Sequence, residues 1–279
     1  MKLIKGHQVA DIILEDLKNK ISELKIKPTL AVILIGEDQA SKIYVGLKKK
    51  AAEKIGMNFR LFYYNSDVEE KTVLDKIKEL NKDREVSGII VQLPLPQGWN
   101  KKLIVNLIDL EKDVDGFCDE NQNLFYGKEE CEIFPVFPKA IFRMIEFAIK
   151  ENNLTGIREG VIICNSDDFG RVMQRALGKL SIQGEYVLKD DLKNNLEKIK
   201  KADVLVTACG VANILNSSMV KTGAIVVDGG IIKVDGKVRG DVDVESFENF
   251  DAFISPVPGG VGPMTVACLL ENTFLAGVK

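Results

Sequence analysis

The sequence predicts an α/β protein of two domains, each built on a parallel β-sheet. The chain has 279 residues, and a single domain usually has only ~100–200. Short apolar runs such as 30–35 alternate with segments of helical length, which is typical of βαβ units. The alternation occurs twice, and a helix predicted over 139–151 opens the second series.

In the first series, apolar residues at i, i+3 and i+4 spacing predict a helix over 8–25. A loop-rich segment is expected over 114–134. The other predicted elements of this series are strands at 30–35, 59–64 and 88–93 and helices at 41–55, 72–81 and 101–109.

In the second series, the Asp235-Gly236 pair predicts a tight hairpin because both residues accept positive φ. Strands are predicted at 161–164, 185–188, 204–208, 224–228 and 252–254, and helices at 171–180, 190–201 and 265–277. The expected domains are 1–138, completed by 262–279, and 139–261.

Composition excludes several classes of function. A net charge of -3 and a pI of about 5.5 argue against nucleic acid or an anionic membrane as the main partner. There is no apolar run near the ~20 residues of a membrane span and no signal-peptide core, so we expect a cytoplasmic protein. Five scattered cysteines without a C-x-x-C pair favour reduced thiols over disulfides or zinc. With His7 as the only histidine, a multi-histidine metal site is impossible, and we expect no metal.

Residues 255–265 contain three prolines and three glycines. Proline fixes φ, and glycine lets other groups approach the backbone. The segment is either an ordinary tight turn or, as we favour, a rigid loop that lines a site. Thr265 is expected at the N-cap of the last helix.

Tyr44 and Lys48 are i, i+4 neighbours on a predicted helix. A lysine acts as a base only when burial or nearby positive charge lowers its pKa. The run 48–50 therefore indicates either a solvated face or a catalytic lysine.

Two further motifs carry polar side chains, and the first of them lies at the carboxyl end of a strand, where ligands bind in open α/β sheets. Gln92 lies at the carboxyl end of the strand predicted over 88–93 and precedes two prolines, so it either caps the strand or faces a ligand. Asp113 and Asp115 lie in a turn with Gly116. The turn lacks the later acidic ligands of a calcium loop, and an acid that accepts hydrogen bonds from a bound ring is as plausible.

The motifs at 44–50, 91–96, 112–117 and 256–265 occur in the order found in the methylenetetrahydrofolate dehydrogenase/cyclohydrolase (FolD) family, which this chain resembles over nearly its whole length. The resemblance implies a folate domain and a Rossmann-like, doubly wound cofactor domain with a cleft between them, a homodimer and no metal. It implies Lys48 as catalytic lysine, Tyr44 stacked on folate, Gln92 tuning the lysine and Asp115 holding the pterin. By the same resemblance, the substrate would also contact Val91, Leu93, Pro258, Gly259, Gly260, Pro263 and Thr265.

The family oxidises 5,10-methylene-tetrahydrofolate with NADP+ and hydrolyses the methenyl product to 10-formyl-tetrahydrofolate. The residues suit this chemistry. Hydride loss leaves a delocalised cation, which needs no strong electrophile. Water attack and ring opening need a proton shuttle, which a lysine of lowered pKa provides.

The cofactor half departs from the family pattern, in which Gly-x-Ser-x-x-Val-Gly-x-Pro follows the first strand. Cys164 replaces its first glycine and is expected to place a side chain where the backbone approaches a pyrophosphate. Asp167 and Asp168 would repel a phosphate at the helix N-terminus. Asp190 and Asp191 suit a free ribose hydroxyl better than a 2′-phosphate. Only Lys189 offers a positive charge that would compensate for these two acids. The predicted cofactor contacts are Cys164, Asn165, Ser166, Gly170, Cys209, Gly210 and Ile231.

An NADP+-dependent bifunctional enzyme is thus the first interpretation. The second is a cyclohydrolase whose dehydrogenase activity is weak, NAD+-preferring or lost. A catalytically silent folate-binding protein is disfavoured by Lys48, and an unrelated amino-acid dehydrogenase by the four motifs.

Overall fold

The computed structural model describes residues 1–127 and 133–278. It contains two compact units, each with its own parallel sheet, which confirms the predicted α/β class. The three-stranded unit comprises Asp11–Val136 and Val266–Lys279, and the six-stranded unit comprises Met1–Ala10 and Phe137–Thr265.

Helices and strands alternate along most of the described residues. In chain order they are β1 (Lys2–Leu3), α1 (Gly6–Ser22), β2 (Thr29–Ile35), α2 (Gln39–Lys54), β3 (Asn58–Tyr64), α3 (Glu70–Lys82), β4 (Gly88–Val91), α4 (Lys101–Asn106), α5 (Asp119–Tyr126), α6 (Val136–Glu151), β5 (Glu159–Cys164), α7 (Asp167–Lys179), β6 (Gln183–Leu188), α8 (Leu196–Lys201), β7 (Val204–Ala208), β8 (Ile225–Asp228), β9 (Ile232–Val234), β10 (Lys237–Arg239), β11 (Phe253–Ile254) and α9 (Val261–Gly277). Short 3₁₀ helices cover Leu110–Lys112, Lys189–Asn195, Ser217–Met219 and Val244–Phe247.

The three-stranded unit is organised around β2, which lies between β3 and β4. All seven residues of β2 are buried, which agrees with its uninterrupted apolar sequence: β3 and β4 pair with its two edges, and apolar side chains of α3 and α4 pack against one of its faces. Helix α9 completes this unit from the far end of the chain. Its fully buried Asn272 donates from Nδ2 to the carbonyl oxygens of Val114 (2.8 Å) and Phe134 (2.9 Å).

The six-stranded unit has the strand order β1-β11-β8-β7-β5-β6, and all its pairs are parallel. Helix α7 packs closely on β6. A Cβ atom on Gly170 would lie 2.5 Å from the ring of Tyr186, so this helix–strand contact requires glycine. In open sheets of this kind ligands bind at the carboxyl ends of the strands, here the turns after β5, β7 and β8.

The N-terminal boundary of the first predicted domain differs from the structure. Residues 1–10 belong to the six-stranded unit because Lys2 and Leu3 pair with Phe253 and Ile254. A two-residue, exposed strand has no periodicity from which it could be predicted. The units also divide at 136/137 and 265/266 rather than at 138/139 and 261/262.

Two local predictions differ from the structure. The segment 114–134, expected to be loop-rich, contains α5, whose N-terminus is capped by Cys118 through its Sγ and carries two acids in its first turn, and residues 128–132 of that segment lie outside the described residues. Thr265 is not an N-cap, because α9 already begins at Val261. Pro263 fits the first turn of that helix, where its missing N–H costs no hydrogen bond.

Other predicted elements agree with the structure within a few residues. Asp235 and Gly236 both have positive φ, at 49° and 76°, and confirm the hairpin between β9 and β10. The helix predicted over 190–201 is a 3₁₀ turn followed by α8.

Candidate active site

Lys48 lies on α2, in the three-stranded unit. The helix is capped by Asp38, whose Oδ2 accepts a hydrogen bond from Ser41 N at 2.7 Å. Lys48 Nζ donates to Gln92 Oε1 at 2.8 Å. Gln92 in turn donates from Nε2 to the carbonyl oxygen of Leu93 (2.9 Å), which also accepts from Ser41 Oγ (3.1 Å). This network directs the amide oxygen of Gln92 at the lysine.

Lys48 and Asp115 both titrate away from their ordinary ranges. Burial lowers the pKa of the Lys48 ammonium, and the Asp115 carboxylate opposes this effect. Burial raises the pKa of Asp115 to about 6, the positive charges of Lys48 and Lys101 lower it, and the Asp113 carboxylate raises it. Oppositely perturbed groups of this kind are characteristic of catalytic sites.

The two acids of the 112–117 turn have different environments. Asp113 is buried and accepts hydrogen bonds from Gly116 N (3.1 Å), Cys118 N (2.8 Å) and Asn121 Nδ2 (2.9 Å). Its carboxylate therefore holds the turn together and is not free to bind calcium. Asp115 is only partly buried, with Lys48 and Lys101 as its cationic neighbours.

The raised pKa of Asp115 predicts a pH-dependent effect of Asp115→Asn. The folded protein prefers the protonated acid, so this group's stabilising contribution is present below its ordinary pKa of 3.8 and lost as the pH rises through about 6. Asparagine stays neutral. We therefore expect the variant to be more stable than the wild type at about pH 8, by at most about 3 kcal/mol, and to lose that advantage near pH 4.

Asp113→Asn is the matched control for this prediction. It places an amide donor against N–H donors and should destabilise the fold at both pH values, by about 1–3 kcal/mol. Thermal unfolding followed by circular dichroism distinguishes the two variants. A lower melting temperature of Asp115→Asn at pH 8 would show that burial of its charge is not the dominant effect.

The other residues predicted in this unit are close in the chain to the lysine and glutamine. Tyr44 is half-buried one helical turn before Lys48, Val91 is the buried last residue of β4, and Leu93 supplies the carbonyl that orients Gln92. Ser41 was not predicted, although its position at the start of α2 is visible in the sequence.

The predicted loop residues Pro258, Gly259, Gly260, Pro263 and Thr265 belong to the six-stranded unit. The carbonyl oxygen of Gly259 accepts a hydrogen bond from the N–H of Gly6 at 2.9 Å. A Cβ atom on Gly6 would lie 1.7 Å from the carbonyl oxygen of Gly260. Gly6 therefore holds the loop by direct backbone contact, and sequence analysis missed it. Thr265 Oγ1 donates to Gly262 O (2.7 Å) inside α9.

The environment of Cys164 corrects one expectation about the turn after β5. Its side chain is completely buried, with Sγ donating to Ser166 O at 3.3 Å, so it does not project where a phosphate would approach. Burial also raises the pKa of this thiol. Ser166 caps α7, its Oγ accepting from Phe169 N, and Asn165 beside it is exposed.

The turns after β7 and β8 contain the remaining predicted cofactor residues. Cys209 is buried, and Gly210 has a φ of +65° with open space around it. The N–H groups of Cys209 and Val211 both donate to the carboxylate of Asp241, which sequence analysis did not single out. Ile231 follows β8 and is 55% exposed.

Within 1–127 and 133–278, no three histidine, cysteine, aspartate or glutamate side chains are arranged to hold a metal ion. No helix of these residues has the length and apolar character needed to cross a membrane.

The sequence and the fold both match known proteins. Residues 4–115 match the family described as "Tetrahydrofolate dehydrogenase/cyclohydrolase, catalytic domain", and residues 135–279 match its "NAD(P)-binding domain". The bifunctional protein FolD of Pelagibacter ubique is 42% identical, across 98% of this chain and 97% of its own. The FolD protein of Hydrogenobaculum sp. is 39% identical, across 99% and 98%.

Two solved structures give the same result. The bifunctional FolD methylenetetrahydrofolate dehydrogenase/cyclohydrolase of Campylobacter jejuni superposes with a TM-score of 0.91 at 36% identity, covering 100% of this chain and 99% of its own. The Trypanosoma brucei methylenetetrahydrofolate dehydrogenase-cyclohydrolase (FolD), complexed with NADP cofactor and inhibitor, has a TM-score of 0.89 at 27% identity and covers 99% and 97%. The chain belongs to the tetrahydrofolate dehydrogenase/cyclohydrolase family.

Proposed function

We infer that this protein is a bifunctional enzyme that oxidises 5,10-methylene-tetrahydrofolate to the 5,10-methenyl compound and hydrolyses that to 10-formyl-tetrahydrofolate. The observation that carries the inference is the hydrogen bond from Lys48 to Gln92 beside Asp115, in a chain that matches both family domains. The homodimer that the resemblance implies and the cytoplasmic location expected from the sequence are part of the same proposal.

Hydrolysis requires proton transfer between the attacking water and N5 of the substrate. A water molecule adds to the methenyl carbon and loses one proton, and the resulting hydroxyl loses its second proton as the bond from that carbon to N5 breaks. One of these two protons protonates N5, and the other is released to solvent, because the methenyl substrate is a cation and the formyl product is not. Lys48, with its lowered pKa, accepts the proton from water in its neutral form and returns it to N5. The amide oxygen of Gln92 fixes the position of Nζ.

Asp115 and Tyr44 bind and orient the substrate in this proposal. A carboxylate accepts hydrogen bonds from the N–H groups of the pterin, and its pKa of about 6 leaves it mostly ionised at neutral pH. Tyr44, one turn from Lys48, offers an aromatic face for stacking. The loop residues Pro258, Gly259, Gly260, Pro263 and Thr265, with Val91 and Leu93, complete the proposed substrate contacts.

The six-stranded unit has features that suit a dinucleotide. The N-terminus of α7 follows the first strand of the βαβ unit, and a Cβ atom on Gly210 would meet nothing within 4 Å, so the turn after β7 is open to a ligand. Residues that would hold the cofactor are Asn165, Ser166, Gly210 and Ile231. Gly170 permits the close contact between α7 and β6. The buried side chains of Cys164 and Cys209 pack beneath the turns after β5 and β7. A bound nicotinamide nucleotide supplies the acceptor for the hydride.

We propose NADP+ as that acceptor, in agreement with the NADP complex of the Trypanosoma brucei relative. Lys189, directly after β6, is the cation available to a 2′-phosphate. NAD+ is the second candidate because Asp190 and Asp191 follow the same strand and favour a free ribose hydroxyl.

Oxidation of methylene-tetrahydrofolate by the purified protein with NADP+, with NAD+ and with neither, and methenyl hydrolysis in the same preparation, test this proposal. We expect both activities, with faster oxidation by NADP+. Lys189→Ala should raise the KM for NADP+ about tenfold and leave that for NAD+ nearly unchanged, since one charge-assisted phosphate contact is lost.

Lys193→Ala removes an exposed lysine of the same 3₁₀ helix and is the control, expected to change neither KM. Hydrolysis without oxidation by either nucleotide would contradict the dehydrogenase half of the proposal. Faster oxidation with NAD+ would establish the second candidate.

A further inference from the structure

Asp228 and Asp241 form a buried carboxylate pair that the proposed chemistry does not use. Asp228 is the last residue of β8 and is 1% exposed. Asp241 lies two residues after β10 and is 0% exposed. Burying carboxylates is unfavourable unless every oxygen finds hydrogen-bond donors. Three of the donors that these two groups find, the N–H groups of Cys209, Val211 and Gly230, are in the turns where the nucleotide is proposed to bind.

The Asp241 carboxylate holds both sides of the turn after β7. Its Oδ2 accepts from Cys209 N at 2.6 Å, and its Oδ1 accepts from Val211 N at 2.8 Å. These short, charge-assisted bonds flank Gly210, whose φ is +65°. One side chain thereby fixes a left-handed turn at the carboxyl end of a central strand.

Asp228 holds Asp241 and the next turn. Its Oδ1 accepts from the N–H groups of Asp241 (3.1 Å) and Gly230 (2.9 Å), and its Oδ2 accepts from Val242 N (2.9 Å). Burial raises the pKa of Asp228, and the charge of Asp241 adds to this effect. The same network therefore connects the turn after β7 to the turn after β8.

Two glycines make room for the carboxylates. A Cβ atom on Gly230 would lie 2.1 Å from the Asp241 side chain, and one on Gly240 would lie 2.0 Å from Asp228 Oδ2. The donors to Asp241 are backbone N–H groups, so both terminal atoms of the side chain must be hydrogen-bond acceptors. Asparagine has the same shape but presents NH₂ to one of these donors.

We propose that Asp241 is a positioning residue for the nicotinamide nucleotide, holding the backbone of Cys209–Val211 in the conformation that binds it. The inference rests on the proposed function, because it needs a nucleotide at this edge of the sheet. Asp241 itself is buried and acts through the turn.

Asp241→Asn tests the proposal. Isothermal titration with NADP+ and NAD+ should show the Kd raised about tenfold or more, the effect of losing one charge-assisted bond. The ratio of dehydrogenase to cyclohydrolase turnover should fall by a similar factor, because methenyl hydrolysis uses no nucleotide. Hydrogen exchange should accelerate at the amides of Cys209 and Val211 more than in the central strands.

Asp243→Asn, two residues along the chain and only partly buried, is the control and should leave the ratio unchanged. If Asp241→Asn does not fold, Gly210→Ala probes the same turn from its other side. It has space for the methyl group but an unfavourable φ, and the same loss of nucleotide affinity is expected.

The outcomes separate the two proposals. A wild-type protein that binds neither nucleotide overturns the proposed dehydrogenase and this inference together. A wild type that binds and an Asp241→Asn variant that binds equally well, even with a lowered melting temperature, overturns this inference alone. If Gly210→Ala is used and nucleotide affinity stays normal, the inference is equally overturned.

Discussion

Lys48→Met is expected to lower methenyl hydrolysis about 10²–10⁴-fold, the usual contribution of a positioned proton-transfer group. Methionine keeps the length and the apolar stem of the side chain but has no Nζ to move a proton. Gln92 stays in place, because its Nε2 remains bonded to Leu93 O. The fold should survive, since burial already disfavours the charge of Lys48, as its lowered pKa indicates.

Lys49→Met and Lys50→Met are the matched controls, on the same helix and exposed. Each should retain hydrolysis within about twofold, since exposed surface substitutions rarely disturb a fold. Initial rates are followed by the loss of the methenyl absorbance, corrected for the spontaneous reaction. Unchanged turnover of Lys48→Met would refute the proposed role of this lysine, and equal losses in all three variants would indicate a general effect of positive charge.

The candidate residues of the lysine site could be found in the sequence because each lies in a short segment with its own local signal, although only the family resemblance assigned their roles. Lys48 lies on a helix whose face is visible from the i, i+4 spacing, and Gln92 follows an apolar strand that prolines terminate. Asp113 and Asp115 share a turn marked by Gly116. What the sequence could not show is which acid of the turn is structural and which is perturbed, because that depends on the donors around each one.

Most of what the sequence could not predict depends on contacts between distant parts of the chain. The pairing of β1 with β11 and the bonds from Cys209 and Val211 to Asp241 join segments that no local pattern connects. The inward orientation of Cys164 is likewise set by packing rather than by its position in a glycine motif. The prediction for Thr265 is wrong for a different reason, because a proline within the first turn of a helix resembles the loop prolines that precede it.

Gly6→Ala should destabilise the protein although the substitution favours helix formation. Gly6 is the first residue of α1, where alanine would gain up to about 1 kcal/mol over glycine. Its new methyl carbon, however, would lie 1.7 Å from Gly260 O and 2.6 Å from the carbonyl carbon of the same residue. Both are backbone atoms that no side-chain rotation can move, so the helix or the loop must shift. Such overpacking costs about 1–3 kcal/mol or more, and we expect the steric effect to win.

Gly178→Ala separates the two effects, because Gly178 lies in α7 of the same unit and a Cβ atom there meets nothing within 4 Å. That variant should be more stable than the wild type by about 0.5–1 kcal/mol, and Gly6→Ala less stable, in calorimetric melting experiments. Because the 256–260 backbone carries proposed substrate contacts, Gly6→Ala should also raise the KM for the methenyl compound more than it lowers kcat. A Gly6→Ala protein with wild-type stability and KM would mean that the loop has room to move, and the rigid support that Gly6 gives it would then have no part in binding.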